Sequence, residues 1–188
     1  MEPLPFPGEQ ASARERAIVA GQLGRDPRGE IAVAARCRYG LPGVVRTSPR
    51  LEDGTPFPTL FWLTCPVAIR NAGRLEAAGE MRALQELLAS DEALRKAYHD
   101  AHECYLALRD SIEVIAEPMS AGGMPERVKC LHALYAHEVA DANPIGARVR
   151  APIDPTDCPG PCVVFDDAGT LSRAPGHPGF AGKKKRTI

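Results

Sequence analysis

Residues Glu30 to Arg38 read EIAVAARCR. Apolar side chains fall at every second position, Ile31, Val33, Ala35 and Cys37, which is the period of a half-buried strand. Tyr39 to Gly43, YGLPG, supplies a turn and Val44 to Thr47 a returning strand, so the pattern predicts a hairpin. After the loop LEDGTPFP, Thr59 to Thr64 (TLFWLT) is a short apolar run holding the single tryptophan, and it predicts a central strand. Helical patterns dominate the remainder. The predicted fold class is α+β: a small antiparallel sheet over about residues 30–65, packed against three or four helices.

On the N-terminal side, residues 12–20 (SARERAIVA) predict a short helix with Ser12 as its N-cap. Residues 1–11 read as a flexible arm. On the C-terminal side, Cys65 to Gly79 predicts a helix with Thr64 as N-cap and Pro66 in the first turn. The pattern continues through Glu80 to Ala89, and Ser90 is the expected cap of a further helix, with Asp91 and Glu92 near its positive end. Leu94, Tyr98, Ala101, Tyr105, Leu108, Ile112 and Ile115 then form an apolar stripe, as expected of a helix packed within the chain. Pro118 to Pro125 (PMSAGGMP) is a glycine-bearing loop. Glu126 to Ala142 is the last predicted helix, ended by Asn143-Pro144. Residues 150–161 are proline-rich, and Val163 to Phe165 is too short to assign. From Asp166 onward the chain is polar and ends in Lys183-Lys184-Lys185-Arg186, which reads as a disordered basic tail over 166–188. A single domain over 12–165 lies between arm and tail.

The 188 residues are 44% hydrophobic, 25% charged and 5% aromatic, a profile that excludes a disordered or collagen-like chain. Lys plus Arg is 23 against 24 Asp plus Glu, so no basic excess points to nucleic acid as the main partner. The opening MEPLPFPG lacks the apolar core of a signal peptide, and no run approaches the ~18 apolar residues of a membrane span. The expected setting is the cytoplasm. In a reducing compartment the 6 cysteines are core hydrophobes, metal ligands or reactive thiols rather than disulfides.

Four segments carry Cys or His outside the apolar stripe: Cys37, Cys65, Cys130 with His132 and His137, and Cys158-Pro-Gly-Pro-Cys162. The last is a C-x3-C within zinc-ligand spacing. On a regular helix at ~100° per residue, Cys130 and His137 share one face, while His132 lies ~200° from Cys130. All three converge only if Cys130 sits before the first turn. Cys65 is placed at a helix N-terminus, where free N–H groups and the dipole favour a thiolate, as nucleophile or as ligand. His102 flanks Tyr98 and Tyr105 on the long helix. Arg70 and Arg74, four residues apart near the start of their helix, are a candidate anion-binding pair, although ion pairs with Glu76 account for them equally well. No nucleotide-binding fingerprint, nucleophile elbow or H-E-x-x-H is present.

Two longer stretches, Pro56 to Pro66 (PFPTLFWLTCP) and Gly122 to Gly146 (GGMPERVKCLHALYAHEVADANPIG), occur together with Arg36-Cys37-Arg38-Tyr39-Gly40, Arg74-Leu75-Glu76 and Ala101-His102. With these the chain resembles the bacterial family catalogued as domain of unknown function 501, over roughly residues 14–150. The family pattern includes the residues at Cys37, Cys65, His102, Cys130, His132 and His137. Its genes stand beside those of a septum-formation initiator and an exopolyphosphatase, which implies a cytoplasmic setting and a link to division or polyphosphate metabolism.

The leading functional expectation is a Cys/His site binding zinc for structure or regulation, with Cys37, Cys65, Cys130 and His137 as ligands. An iron–sulfur cluster is the less favoured occupant of a mixed site, because thiolates alone usually hold one. The alternative is an enzyme with Cys65 as nucleophile, His102 or His132 as base, and Arg70 and Arg74 holding an anionic substrate. A third reading is an interaction module with a protein partner in division or polyphosphate metabolism.

Overall fold

The structure, a computed structural model, describes residues 1–115 and 124–181. Its elements follow in chain order: β1 (Glu2–Pro3), β2 (Glu9–Gln10), α1 (Ala13–Leu23), β3 (Ile31–Arg36), β4 (Pro42–Thr47), β5 (Phe61–Leu63), α2 (Pro66–Ala77), α3 (Glu80–Ser90), α4 (Glu92–Asp110), α5 (Leu131–Ala140), α6 (Pro144–Ile153), β6 (Val163–Phe165) and β7 (Leu171–Arg173). A 3-10 turn, Pro178–Phe180, follows β7. The α+β class stands.

The sheet is antiparallel in the order β1-β3-β4-β5, and β2 pairs with β3 further along the same edge as β1. Val33 faces Val45 and Ile31 faces Thr47 in the predicted hairpin, and Val45 in turn faces Trp62 of β5. The register of β3 slips on either side of Ala35, an irregularity of the kind that re-aims side chains at a strand end, just before Cys37. Residues 1–11, expected as a flexible arm, are instead tied to β3. Glu2 and Pro3 face Arg36 and Ala35, and Glu9 and Gln10 face Val33 and Ala32. Arg36 reaches both Glu9 and Glu15, so the edge is also closed by charge.

Ser12 caps α1 as expected, in a capping box with Glu15. The cap of α2 is Cys65 rather than Thr64, and that of α4 is not Ser90 but Asp91, whose side chain accepts from Leu94 N–H. The buried line of α4 runs through Leu94, Tyr98, His102, Tyr105 and Arg109. His102 and Arg109 are buried in place of the expected Ala101 and Leu108, and the helix ends at Asp110, before the expected Ile112 and Ile115. The Tyr105 hydroxyl accepts from Leu60 N–H and donates to the Pro58 carbonyl at 3.2 Å, fixing α4 to the strand entering the sheet.

The predicted last helix over Glu126 to Ala142 is shorter than expected and is not the last. α5 starts only at Leu131, with Cys130 as its N-cap. Asn143-Pro144 does not end the helical region; it starts α6, where the Asn143 side chain accepts from Ile145 and Gly146 N–H and Pro144 occupies the first turn. Six of the ten residues of α5 are buried, and α5 packs on β5, α2 and α6 as the centre of the main core. Gly146 permits the close approach of α6 to α5, since a Cβ there would collide with the Leu134 carbonyl oxygen and the Glu138 side chain.

The tail begins later than the sequence suggests. Within 166–188, β7 pairs with β6, Leu171 packs beside Ile18 of α1, and His177 is 6% exposed. Gly/Pro content imitates disorder here, but scattered long-range contacts order the segment. Residues 182–188, with the Lys/Arg cluster, and most of the glycine loop, 116–123, lie outside the described residues. Among the described residues no helix is long and apolar enough to cross a membrane.

Two outcomes check this packing. Truncation after Asp166 should lower the melting temperature by roughly 5 °C or more, because it strips contacts from α1 and α2; an unchanged melt would show the segment to be dispensable. Gly146→Ala should cost ~1–3 kcal/mol by overpacking against a rigid backbone, measured by urea titration.

Candidate functional site

The site at the start of α5 follows from one local fact. Cys130 has φ −53° and ψ 140°, outside the helix, so the ~200° separation from His132 that a regular helix imposes does not apply. Cys130 and His132 come together on the side of α2 that carries Glu76. Sγ of Cys130, a ring nitrogen of His132 and a carboxylate oxygen of Glu76 lie within 4.8 Å of one another, the only such group of three Cys, His, Asp or Glu among the described residues. Glu76 Oε1 accepts from Leu131 N–H at 2.7 Å, capping α5 from another helix, and stands 3.0 Å from His132 Nδ1. His132 Nε2 lies 3.1 Å from the Ile69 carbonyl oxygen.

That last contact determines the chemistry of the ring. A carbonyl only accepts, so Nε2 carries a proton and donates to Ile69. In a neutral ring Nδ1 then presents a lone pair to the Glu76 carboxylate. Two acceptors at 3.0 Å repel unless a positive particle lies between them, either a second ring proton or a metal ion. Imidazole bound through one nitrogen and donating from the other to a backbone carbonyl is the usual arrangement of a metal-ligating histidine. The group borders a cavity of about 470 Å³ lined by Trp62, Lys129, Ile69 and Arg25 among others. Burial holds the Lys129 ammonium below its ordinary pKa.

His137, expected to share a metal with Cys130, is elsewhere. It is 1% exposed, with its ring 5.0 Å from that of Tyr105 and 5.8 Å from that of Phe61. The Asn143 amide donates to its Nδ1 at 3.1 Å. Cys130 is exposed, so the two diverge. The expectation failed because it placed Cys130 on the helix, whereas it precedes it. Glu76 was passed over as a ligand because the sequence offers it as an ion-pair partner for Arg70 and Arg74.

Cys37 and Cys65 do come together, though not with Cys130. They line a separate pocket of about 280 Å³, together with Cys158, Cys162, Gln22 and His177. Cys65 sits at the N-terminus of α2 as predicted, but its thiol is not acidified. Burial pushes its pKa up to about 12, outweighing the lowering effect of the Ala68 and Val67 N–H groups. Neither His102 nor His132 lines this pocket, so the proposed nucleophile and its bases are not assembled. His102 is buried on α4, its pKa lowered mainly by desolvation. Arg70 donates to the Pro178 carbonyl at 2.8 Å and so holds the C-terminal turn, while Arg74 is exposed; the pair does not form an anion cradle.

The profile of a family described as a protein of unknown function, DUF501, matches residues 33–151. The chain belongs to this family. No curated protein and no solved structure matches it. The matched residues include Glu76, Cys130 and His132, and also Cys37 and Cys65, while Cys158, Cys162 and His177 lie beyond them.

Two measurements follow. Cys65 should resist iodoacetamide at neutral pH until the protein unfolds, whereas exposed Cys104 and Cys130 should label in the native state when metal-free. Early labelling of Cys65 would contradict its burial. The lowered pKa of His102 means that the unfolded chain binds a proton there first as pH falls, so stability present above pH ~6.5 is lost below it. His102→Gln should flatten that part of a melting-temperature profile between roughly pH 6.5 and 5.

Proposed function

We propose that this DUF501 protein is a zinc protein, in which Glu76, Cys130 and His132 bind the ion and clip the start of α5 to α2. The observation that carries the reading is the His132 ring, fixed by the Ile69 carbonyl with its other nitrogen turned toward the Glu76 carboxylate. The donor set suits zinc, which accepts thiolate, imidazole and carboxylate together. Three protein ligands leave one position open, and here it borders the cavity beside Lys129. The role is structural or regulatory: metal occupancy sets how firmly α5 is tied to its neighbour, since binding and folding are coupled. The six cysteines, all unpaired, suit a reducing, cytoplasmic compartment.

Elemental analysis and cobalt substitution test this reading. Wild-type protein should take up zinc at this site, and cobalt should give a sulfur-to-metal charge-transfer band. Cys130→Ser should lose that band, and His132→Gln should weaken zinc binding by more than the ~10–100-fold typical of second-shell losses. Because Cys130 is exposed, its serine variant should melt like the metal-free wild type but lose the rise that zinc produces. Zinc affinity and zinc-dependent melting unchanged in both variants would overturn the proposal and leave Glu76 and His132 as a simple ion pair.

A further inference from the structure

Four of the six cysteines reach one pocket of about 280 Å³ from three separate parts of the chain. Cys37 follows β3, Cys65 joins β5 to α2, and Cys158 and Cys162 flank the loop Pro159-Gly160-Pro161. The walls between them are largely apolar, with Leu41, Pro42 and Pro66 among them. Cys65 and Cys162 are buried in its wall, and Cys37 and Cys158 are half-buried.

The pocket is too wide for one ion. Sulfurs bound to a single zinc at ~2.3 Å must lie about 4 Å apart. No three of these cysteines come within 4.8 Å of one another, in contrast to the group around Glu76. The thiols surround a volume rather than a point. We propose that this pocket binds an iron–sulfur cluster, with Cys37, Cys65, Cys158 and Cys162 as its thiolate ligands.

The hydrogen bonds around the sulfurs fit an anionic occupant. Gln22 Nε2 donates to Cys162 Sγ at 3.5 Å and to the Pro42 carbonyl at 2.9 Å, while the buried Oε1 of the same amide has no partner. His177 Nδ1 accepts from Gly179 N–H at 3.2 Å, which puts the ring proton on Nε2, between the Gly160 carbonyl oxygen at 3.3 Å and Cys158 Sγ at 3.5 Å; the Cys158 thiol donates to the same carbonyl. The N-terminus of α2 faces Cys65, and Arg38 and Asp154 both line the same pocket. N–H donors and positive potential at the sulfurs are what stabilise a thiolate-ligated cluster and set its potential. Cys65 and Cys158 are each followed by proline, as is the last cysteine of the ferredoxin ligand run. The C-terminal segment is anchored to deliver its two ligands. Arg38 donates to the Pro155 and Thr156 carbonyls, and the Tyr39 hydroxyl donates to the Cys158 carbonyl at 2.8 Å. Gly179 rests so closely on α2 that a Cβ would stand 2.8 Å from that of Pro66.

Loading is a ligand exchange without redox change. The four protein thiols replace the four small thiolates of a preformed [4Fe–4S] cluster, each passing its proton to a departing thiolate. The experiment is anaerobic transfer of such a thiolate-capped cluster to the full chain, read by visible absorption and by iron and sulfide per chain. Wild type should take up one cluster, and mass spectrometry should find Cys37 and Cys158, the half-buried pair, protected from alkylation once loaded. Cys158→Ser/Cys162→Ser should lose at least ten-fold in uptake while keeping its fold by circular dichroism, and Cys130→Ser should load like wild type. Failure of wild type to take up a cluster, uptake unchanged in the double variant, or protection of a different set of cysteines would overturn the proposal. The zinc reading stands or falls separately, on Cys130 and His132.

Discussion

The burial of α5 is the constraint on which the remaining structure depends. A ten-residue helix with six buried positions has apolar contacts around most of its circumference, so it belongs at the centre of the molecule and other elements must surround it. β5 covers it on one side, α2 on another and α6 on a third, the last made possible by Gly146. Burial also dictates how its polar groups are satisfied. The helix begins beside α2, and Glu76 supplies the capping carboxylate that a local Ser or Asp would otherwise provide. The same carboxylate lies against His132, so the requirement to cap a central helix also brings together the residues proposed as metal ligands. His137, further along, is enclosed by Phe61, Tyr105 and Asn143 and serves the core.

Parts of this were legible in the sequence for physical reasons. The β3–β4 hairpin, β5 and the existence of α4 follow from local pattern, although β3 is buried on both faces and α4 buries His102 and Arg109 rather than Ala101 and Leu108. The same holds for Ser12 and Glu15, whose capping box is a purely local interaction. The two-residue strands at Glu2–Pro3 and Glu9–Gln10 have no pattern of their own. They exist because β3 offers an unpaired edge, and that edge is visible only once the sheet is built.

The candidate sites divide along the same line. Cys37 and Cys65 were expected beside Cys130 and His137, and they meet Cys158 and Cys162 instead. That Cys130 joins His132 and not His137 turned on one residue, the position of the helix start, and boundaries are where local pattern is weakest. Cys65 illustrates competition between two effects at one atom: a helix N-terminus lowers a thiol pKa, desolvation raises it, and desolvation is the larger here. Glu76 could be found only by knowing that α5 starts against α2.

The C-terminal segment closes over residues laid down far earlier in the chain, and this orders events during synthesis. A chain emerging from the ribosome N-terminus first can build the sheet and pack α2 while Cys158 and Cys162 are still inside the exit tunnel. At that stage Cys37 and Cys65 face an open cleft, and α2 presents a bare N-terminus where Gly179 will later rest. The pocket becomes a pocket only when the final turn has left the tunnel and Arg70 has found the Pro178 carbonyl. Completion of the four-cysteine wall therefore depends on residues synthesised well after Cys37 and Cys65.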